Sequence, residues 1–104
     1  MIKEQIYDPD LGIIEEKGKE LGLGEGTITK AKNFAIQYFK KTDKISKYPK
    51  MLMPAFLYIA CHTDDSKERR TQVQIGNVFN ISPVTIRKWY IQIINELHIQ
   101  IKSK

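Results

Sequence analysis

The segment from residue 51 to 61 constrains the fold most, because it is apolar on every side of a helix. Its apolar residues are Met51, Leu52, Met53, Ala55, Phe56, Leu57, Ile59, Ala60 and Cys61. The segment is shorter than the roughly 20 residues that cross a bilayer. A helix that is apolar all round therefore belongs inside a bundle. We predict a buried central helix over about 51–62, with Pro54 in its first turn.

Two helices are predicted before the central one. Apolar residues recur at helical spacing over about 10–21 and again over about 28–42. A glycine-rich break separates them and consists of Gly22, Gly24 and Gly26. No strand precedes these glycines, so a helix stop is favoured over a phosphate-binding loop. We expect Thr27 or Thr29 to cap the second helix.

Two further helices carry their own start signals. Thr71 to Gln74 is a capping box that opens a short fourth helix. Ser82 and Pro83 open the fifth, with Ser as N-cap and Pro at the first helical position. The sequence therefore predicts an all-α, five-helix bundle. We expect one domain over residues 1–104, whose N-terminal segment at 1–10 is poorly ordered.

Residues 72–91 fit a helix-turn-helix. Gly76 is the small residue that two steeply crossing helices need, and Asn80 tolerates the positive φ of a tight turn. Five apolar residues are spaced to lock the two helices together: Ile75, Phe79, Ile81, Ile86 and Trp89. Because any compact helical hairpin shows similar spacing, the pattern alone leaves DNA binding and a purely structural hairpin open.

The charge is unevenly distributed. The chain has 17 Lys and Arg against 12 Asp and Glu, a net charge of +5. Residues 1–26 hold three basic and seven acidic residues, whereas residues 27–104 hold fourteen basic and five acidic ones. This excess favours a polyanionic partner, with a solvated lysine-rich surface as the alternative. One basic patch could follow a DNA backbone or an acidic partner, or simply be solvated: Lys40, Lys41, Lys44, Lys47 and Lys50.

The start of the fifth helix has the side chains that a major groove requires. Arg87 is suited to guanine, Val84 to a thymine methyl group and Lys88 to a phosphate. Arg69 and Arg70 precede the fourth helix, close to where a helix-turn-helix crosses the DNA backbone. They are candidate phosphate contacts.

Catalytic and metal-binding constellations are not recognisable in the sequence. Adjacent helical residues point in different directions, so we interpret Cys61 as a buried thiol and His62 as a partly exposed histidine. We expect no catalytic residue, no cofactor and no metal. The absence of a long apolar stretch and of a secretory signal predicts a cytoplasmic chain, or a nuclear one in a eukaryote, without a membrane partner.

Three segments resemble the cyclin-like repeats of the transcription factor IIB family, including archaeal factor B. They are Leu57-Tyr58-Ile59-Ala60-Cys61, Arg70-Thr71-Gln72 and Ser82-Pro83-Val84-Thr85-Ile86-Arg87. The order and spacing agree over about 13–97, and the pattern is most similar to the second of the family's two repeats. The resemblance implies a five-helix cyclin fold whose last two helices bind the promoter element upstream of the TATA box.

The resemblance also implies roles for individual residues. Val84 and Arg87 match the base-reading positions of the family. Ser82, Thr85 and Lys88 would lie beside phosphates. Gln72, at the start of the fourth helix, is a further candidate contact with the DNA backbone.

The sequence departs from the family in two respects. One cysteine cannot build the family's zinc ribbon, and one repeat stands where the family has two. Contact with the TATA-binding protein and pairing into a homodimer are therefore left open. Our hypothesis is a promoter-binding transcription factor or regulator that does not initiate transcription alone. The alternative is a protein–protein adaptor that docks partners through its acidic N-terminal segment.

Overall fold

The computed structural model describes residues 8–42, 49–63 and 68–101. Within these ranges the chain forms five helices: α1 Asp8–Glu20, α2 Glu25–Thr42, α3 Pro49–Ala60, α4 Gln72–Phe79 and α5 Pro83–Leu97. In the same ranges, an isolated antiparallel β-bridge pairs Thr63 with Ile101. The predicted all-α, five-helix bundle is confirmed.

α3 lies at the centre of the bundle and packs against each of the other four described helices. From Leu52 to Ala60 every side chain is buried except that of Tyr58, which is half-buried. Complete burial of a residue such as Phe56 or Leu57 contributes about 1.5–3 kcal/mol. The predicted buried central helix is therefore confirmed, and its side chains form the centre of the core.

The position of Pro54 differs from the prediction. α3 begins at Pro49, so Pro54 lies inside the helix rather than in its first turn. Its side chain is fully buried, and it has no N–H to donate to the carbonyl of Lys50. The apolar pattern was misleading because the helix begins two residues before its first apolar residue.

The start of α2 also differs from the prediction. The helix begins at Glu25, so Gly26 lies within it and the expectation that Thr27 or Thr29 caps it is wrong. The helix begins earlier because its first turn has a polar partner from another part of the chain.

That partner is the carboxylate of Glu68. Its two oxygens accept hydrogen bonds from the backbone N–H of Gly24 at 3.0 and 3.1 Å, and Oε1 accepts one from the Thr27 hydroxyl at 2.7 Å. The helix dipole also favours a negative charge at this end. The Gly24 N–H, followed by the Thr27 hydroxyl, lowers the pKa of Glu68. Glu68 therefore caps α2 from 44 residues away.

The predicted N-terminal segment at 1–10 is described only in part. Residues 8–10 are helical, because α1 begins at Asp8, and residues 1–7 lie outside the described residues. Among the helices that are described, none combines the length and the apolar character needed to span a membrane.

Replacing Glu68 with Gln should lower the free energy of unfolding, because the neutral amide removes the charge and one acceptor from the start of α2. The folded chain holds the pKa of Glu68 below its ordinary value of 4.5. The ionised carboxylate therefore stabilises the fold above that value, and this stabilisation is lost as the pH falls through the lowered pKa. Urea denaturation should show the largest difference between wild type and Glu68→Gln near neutral pH, and a smaller one in acid.

Glu16→Gln is the matched control, since Glu16 is an exposed carboxylate in α1. Equal effects of the two substitutions at neutral pH would contradict a capping role for Glu68.

Candidate nucleic-acid interface

A three-residue turn, residues 80–82, joins α4 to α5. Asn80 adopts the left-handed conformation, with φ 60° and ψ 47°, and its N–H donates to the carbonyl of Gly76. The N–H of Ile81 donates to the same carbonyl at 2.9 Å. Asn is one of the few residues that adopt this conformation readily. The prediction for Asn80 is confirmed.

Gly76 allows the turn to fold back onto α4. A Cβ atom at this position would lie 2.4 Å from the carbonyl oxygen of Ile81 and 3.6 Å from Cδ1 of Ile86. The small residue is therefore required mainly by the backbone of the turn. The five predicted locking residues lie in the core or against it: Ile75 and Ile86 fully buried, Phe79, Ile81 and Trp89 half-buried. The last two helices form the predicted helix-turn-helix.

Both helices of this motif begin with the predicted caps. In α4, the Gln74 N–H donates to the Thr71 hydroxyl at 3.0 Å, and the Thr71 N–H donates to Gln74 Oε1 at 2.8 Å. In α5, the Thr85 N–H donates to the Ser82 hydroxyl at 3.3 Å. Pro83 occupies the first turn of α5. These local bonds fix where the two helices begin.

The two faces of α5 have different chemistry. Ile86 and Ile93 are fully buried on the inner face. Val84 has 76% of its surface exposed, and Arg87 and Lys88 are exposed beside it. The ammonium of Lys88 lies 5.6 Å from the centroid of the Trp89 ring. The three side chains singled out for DNA therefore lie together on the outer face of α5.

The two arginines before α4 have different environments. Arg69 is exposed. Arg70 is half-buried, and its Nε donates to the Leu21 carbonyl at 2.8 Å, just beyond the end of α1. Its own carbonyl lies 2.8 Å from Nε2 of His62. Arg70 thus connects α1 and α3 to the start of α4, a role that the sequence did not reveal.

An open pocket of about 510 Å³ lies between α3 and the helix-turn-helix. Its lining consists of Tyr58, His62, Arg69, Arg70, Thr71, Gln72, Val73 and Pro83. The Tyr58 ring lies 4.2 Å from the His62 ring and 4.7 Å from the Tyr90 ring, between centroids. Burial raises the pKa of Tyr58, and a hydrogen bond with Gln72 opposes that effect. Gln72 therefore lines the pocket beside Tyr58 of α3.

The predicted lysine patch is described only in part. Lys40 and Lys41 are exposed at the end of α2. Lys44 and Lys47 lie outside the described residues, as does the side chain of Lys50. A common basic surface for the five lysines stays a prediction.

Cys61 and His62 are placed as predicted. The thiol of Cys61 is fully buried, and burial raises its pKa. His62 is half-buried. Across the described ranges, no cluster of three or more His, Cys, Asp and Glu side chains is arranged to hold a metal ion.

The sequence of residues 3–96 matches the family model described as "Transcription factor TFIIB repeat". The chain belongs to this family. The match covers the predicted repeat at 13–97 almost entirely and begins before it. Together with the five-helix architecture, it confirms the cyclin-like fold and the resemblance found in the sequence.

Several archaeal proteins are similar to this TFIIB repeat along most or nearly all of its length. The transcription initiation factor IIB of Sulfurisphaera tokodaii is 33% identical over 103 residues, which cover 99% of this chain and 32% of the relative. That of Pyrococcus furiosus is 32% identical over 98 residues, which cover 94% of this chain and 32% of the relative. That of Methanopyrus kandleri is 34% identical over 82 residues, which cover 79% of this chain and 26% of the relative. The chain spans about a third or less of the length of these relatives.

Replacing Gly76 with Ala should destabilise the fold by about 1–3 kcal/mol, the usual effect of overpacking, because the added Cβ collides with the turn carbonyl. Gly12→Ala is the control, since a Cβ at Gly12 in α1 would meet nothing within 4 Å. The control should stabilise the chain by about 0.5–1 kcal/mol through helix propensity. Thermal unfolding followed by circular dichroism would measure both, and equal effects would contradict the close approach at Gly76.

Proposed function

We propose that this TFIIB repeat binds double-stranded promoter DNA through the N-terminal half of α5 and serves as a transcription factor or regulator. The observation that carries the proposal is the exposure of Arg87, next to the exposed Val84, on the outer face of a helix-turn-helix. In the described part of the chain no ion pair involves Arg87. Its guanidinium is available to an anionic or hydrogen-bonding partner.

The chemistry of these two side chains matches base edges in the major groove. Arg87 has the planar set of donors that pairs with the O6 and N7 atoms of guanine. Val84 is largely exposed at the first turn of α5, where its apolar side chain suits a thymine methyl group. In a helix-turn-helix, it is the N-terminal turns of the second helix that meet the bases.

The proposed contacts with the DNA backbone surround this centre. Lys88 supplies a charge beside Arg87, and Ser82 and Thr85 present hydroxyls at the start of α5. Arg69 is the exposed cation at the start of α4. Such contacts set the position of a protein on the duplex without selecting its sequence.

Two further backbone candidates, near the start of α4, are half-buried. Gln72 lines the pocket beside Tyr58, and Arg70 donates to the Leu21 carbonyl. We propose that both chiefly position the start of α4, while any phosphate contact of theirs stays a prediction.

Protein partners are a separate part of the proposal. The resemblance makes the TATA-binding protein and a second copy of the chain candidates, and both stay predictions. The relatives are named transcription initiation factors, and we propose no catalytic role for this repeat.

The first test is fluorescence anisotropy with a duplex selected from a randomised pool, compared with a scrambled duplex at several salt concentrations. Arg87→Ala should reduce the discrimination between the two duplexes by about 1–3 kcal/mol, the typical value of one bidentate base contact. Arg87→Lys is the matched control, because it keeps the charge and loses the bidentate geometry. It should lose discrimination while keeping most of the salt-dependent affinity.

Discrimination that survives Arg87→Ala would contradict base recognition by this residue. Failure of the wild-type chain to bind any duplex at low salt would contradict the proposed function and favour the protein–protein adaptor.

Lys88→Ala should behave differently, because a phosphate contact carries no sequence information. Binding to the selected and the scrambled duplex should weaken equally, and the slope of log affinity against log salt should fall by about 1. Titrations of wild type and variant at four salt concentrations would measure both quantities. Unequal weakening would assign Lys88 to a base instead.

A further inference from the structure

The exposed residues of α5 form a single stripe that continues beyond Arg87 and Lys88. Val84, Arg87, Lys88 and Ile91 are all exposed and stand at positions i, i+3, i+4 and i+7. At 100° per residue, the side chain of Ile91 lies about 20° around the helix from that of Val84. Ile91 is thus the next member of the face proposed to meet DNA.

Ile91 is an apolar side chain in polar surroundings. It has 40% of its surface exposed. Arg87 and Lys88 precede it by one turn, and the exposed Gln92 and Asn95 follow it. In the part of the chain that the structure describes, the other large apolar residue on this stripe is Val84. The stripe therefore combines two apolar contacts with two cations between them.

This combination selects one kind of occupant. A purely apolar protein surface would leave the charges of Arg87 and Lys88 without water or counter-charge, which is costly. The major groove offers phosphates and guanine acceptors to the cations, and thymine methyl groups to the apolar side chains. Homeodomain recognition helices contact the major groove with the same i, i+3, i+4, i+7 spacing.

The length of the stripe gives the spacing of the contacts. Seven residues of helix span about 10.5 Å. Successive base pairs are about 3.4 Å apart along the duplex. When α5 lies along the groove, Val84 and Ile91 therefore face positions about three base pairs apart.

We propose that Ile91 is a further specificity-determining residue, which packs on the C5 methyl group of a thymine about three base pairs from the position contacted by Val84. The inference rests on the proposed function and extends it. Base recognition then extends from Val84 and Arg87 to the next turn of α5.

The test is a scan of the selected duplex in which each thymine is replaced in turn by deoxyuridine, which removes only the C5 methyl group. For the wild-type chain, one replacement at the predicted distance should weaken binding about fourfold, the effect of losing one buried methyl-sized group. For Ile91→Ala, the same replacement should have no effect. Val84→Ala should instead be insensitive to deoxyuridine at the thymine that Val84 contacts.

Ile36→Ala is the matched control, because Ile36 is an isoleucine of similar exposure, 37%, on α2. Its deoxyuridine profile should equal that of the wild type. Thermal melts should show both alanine variants folded, since the two isoleucines are exposed.

Three results would overturn the inference. One is an Ile91→Ala profile identical to the wild-type profile while the effects of Val84→Ala and Arg87→Ala persist, which leaves the proposed function intact. Another is a selected site with no thymine at the predicted distance. The third is the absence of duplex binding by the wild-type chain, which would overturn the proposed function as well.

Discussion

The structure depends on covering a helix that has almost no polar surface. α3 is buried from Leu52 to Ala60 apart from Tyr58, so it requires neighbours on all sides, and α1, α2, α4 and α5 provide them. Tyr58 is the exception that links this core to the outer layer, because its ring packs on His62 and Tyr90. The helix-turn-helix is therefore one wall of the core rather than an appended module.

Residues 68–70, a short segment before α4, hold the helix-turn-helix in place. Glu68 caps the start of α2, Arg70 binds the carbonyl of Leu21 after α1, and His62 at the end of α3 bonds the Arg70 carbonyl. Three helices are thus connected to the start of α4 by polar contacts that involve only two residues of the segment. Each contact is partly shielded from water, where a charged hydrogen bond is stronger than at a fully exposed site. The orientation of α4, and of α5 after it, follows from this anchorage.

The sequence predicted the features that depend on near neighbours. The capping box at Thr71, the Ser82 cap and the left-handed Asn80 are all settled within five residues of chain, and they were found as expected. The starts of α2 and α3 were not predicted correctly. The start of α2 depends on the distant Glu68, and the start of α3 lies before the first apolar residue of the pattern. The bond from Arg70 to the Leu21 carbonyl was not predicted for the same reason, since the two residues are 49 positions apart in the chain. The sequence did not mark Ile91 as a functional residue, because single exposed isoleucines are common on protein surfaces.

The separation of the two faces of α5 has a consequence for how such repeats diversify. Ile86 and Ile93 maintain the packing, and Val84, Arg87 and Lys88 face outward, so no side chain in either set belongs to both. Outward positions can change during evolution with little effect on stability, as is usual for exposed sites. Ser82 and Thr85 are exceptions, because their hydroxyls also hold the first turn of the helix. A duplicated copy of this repeat can therefore acquire a new binding preference on an unchanged scaffold, provided that it keeps this first turn.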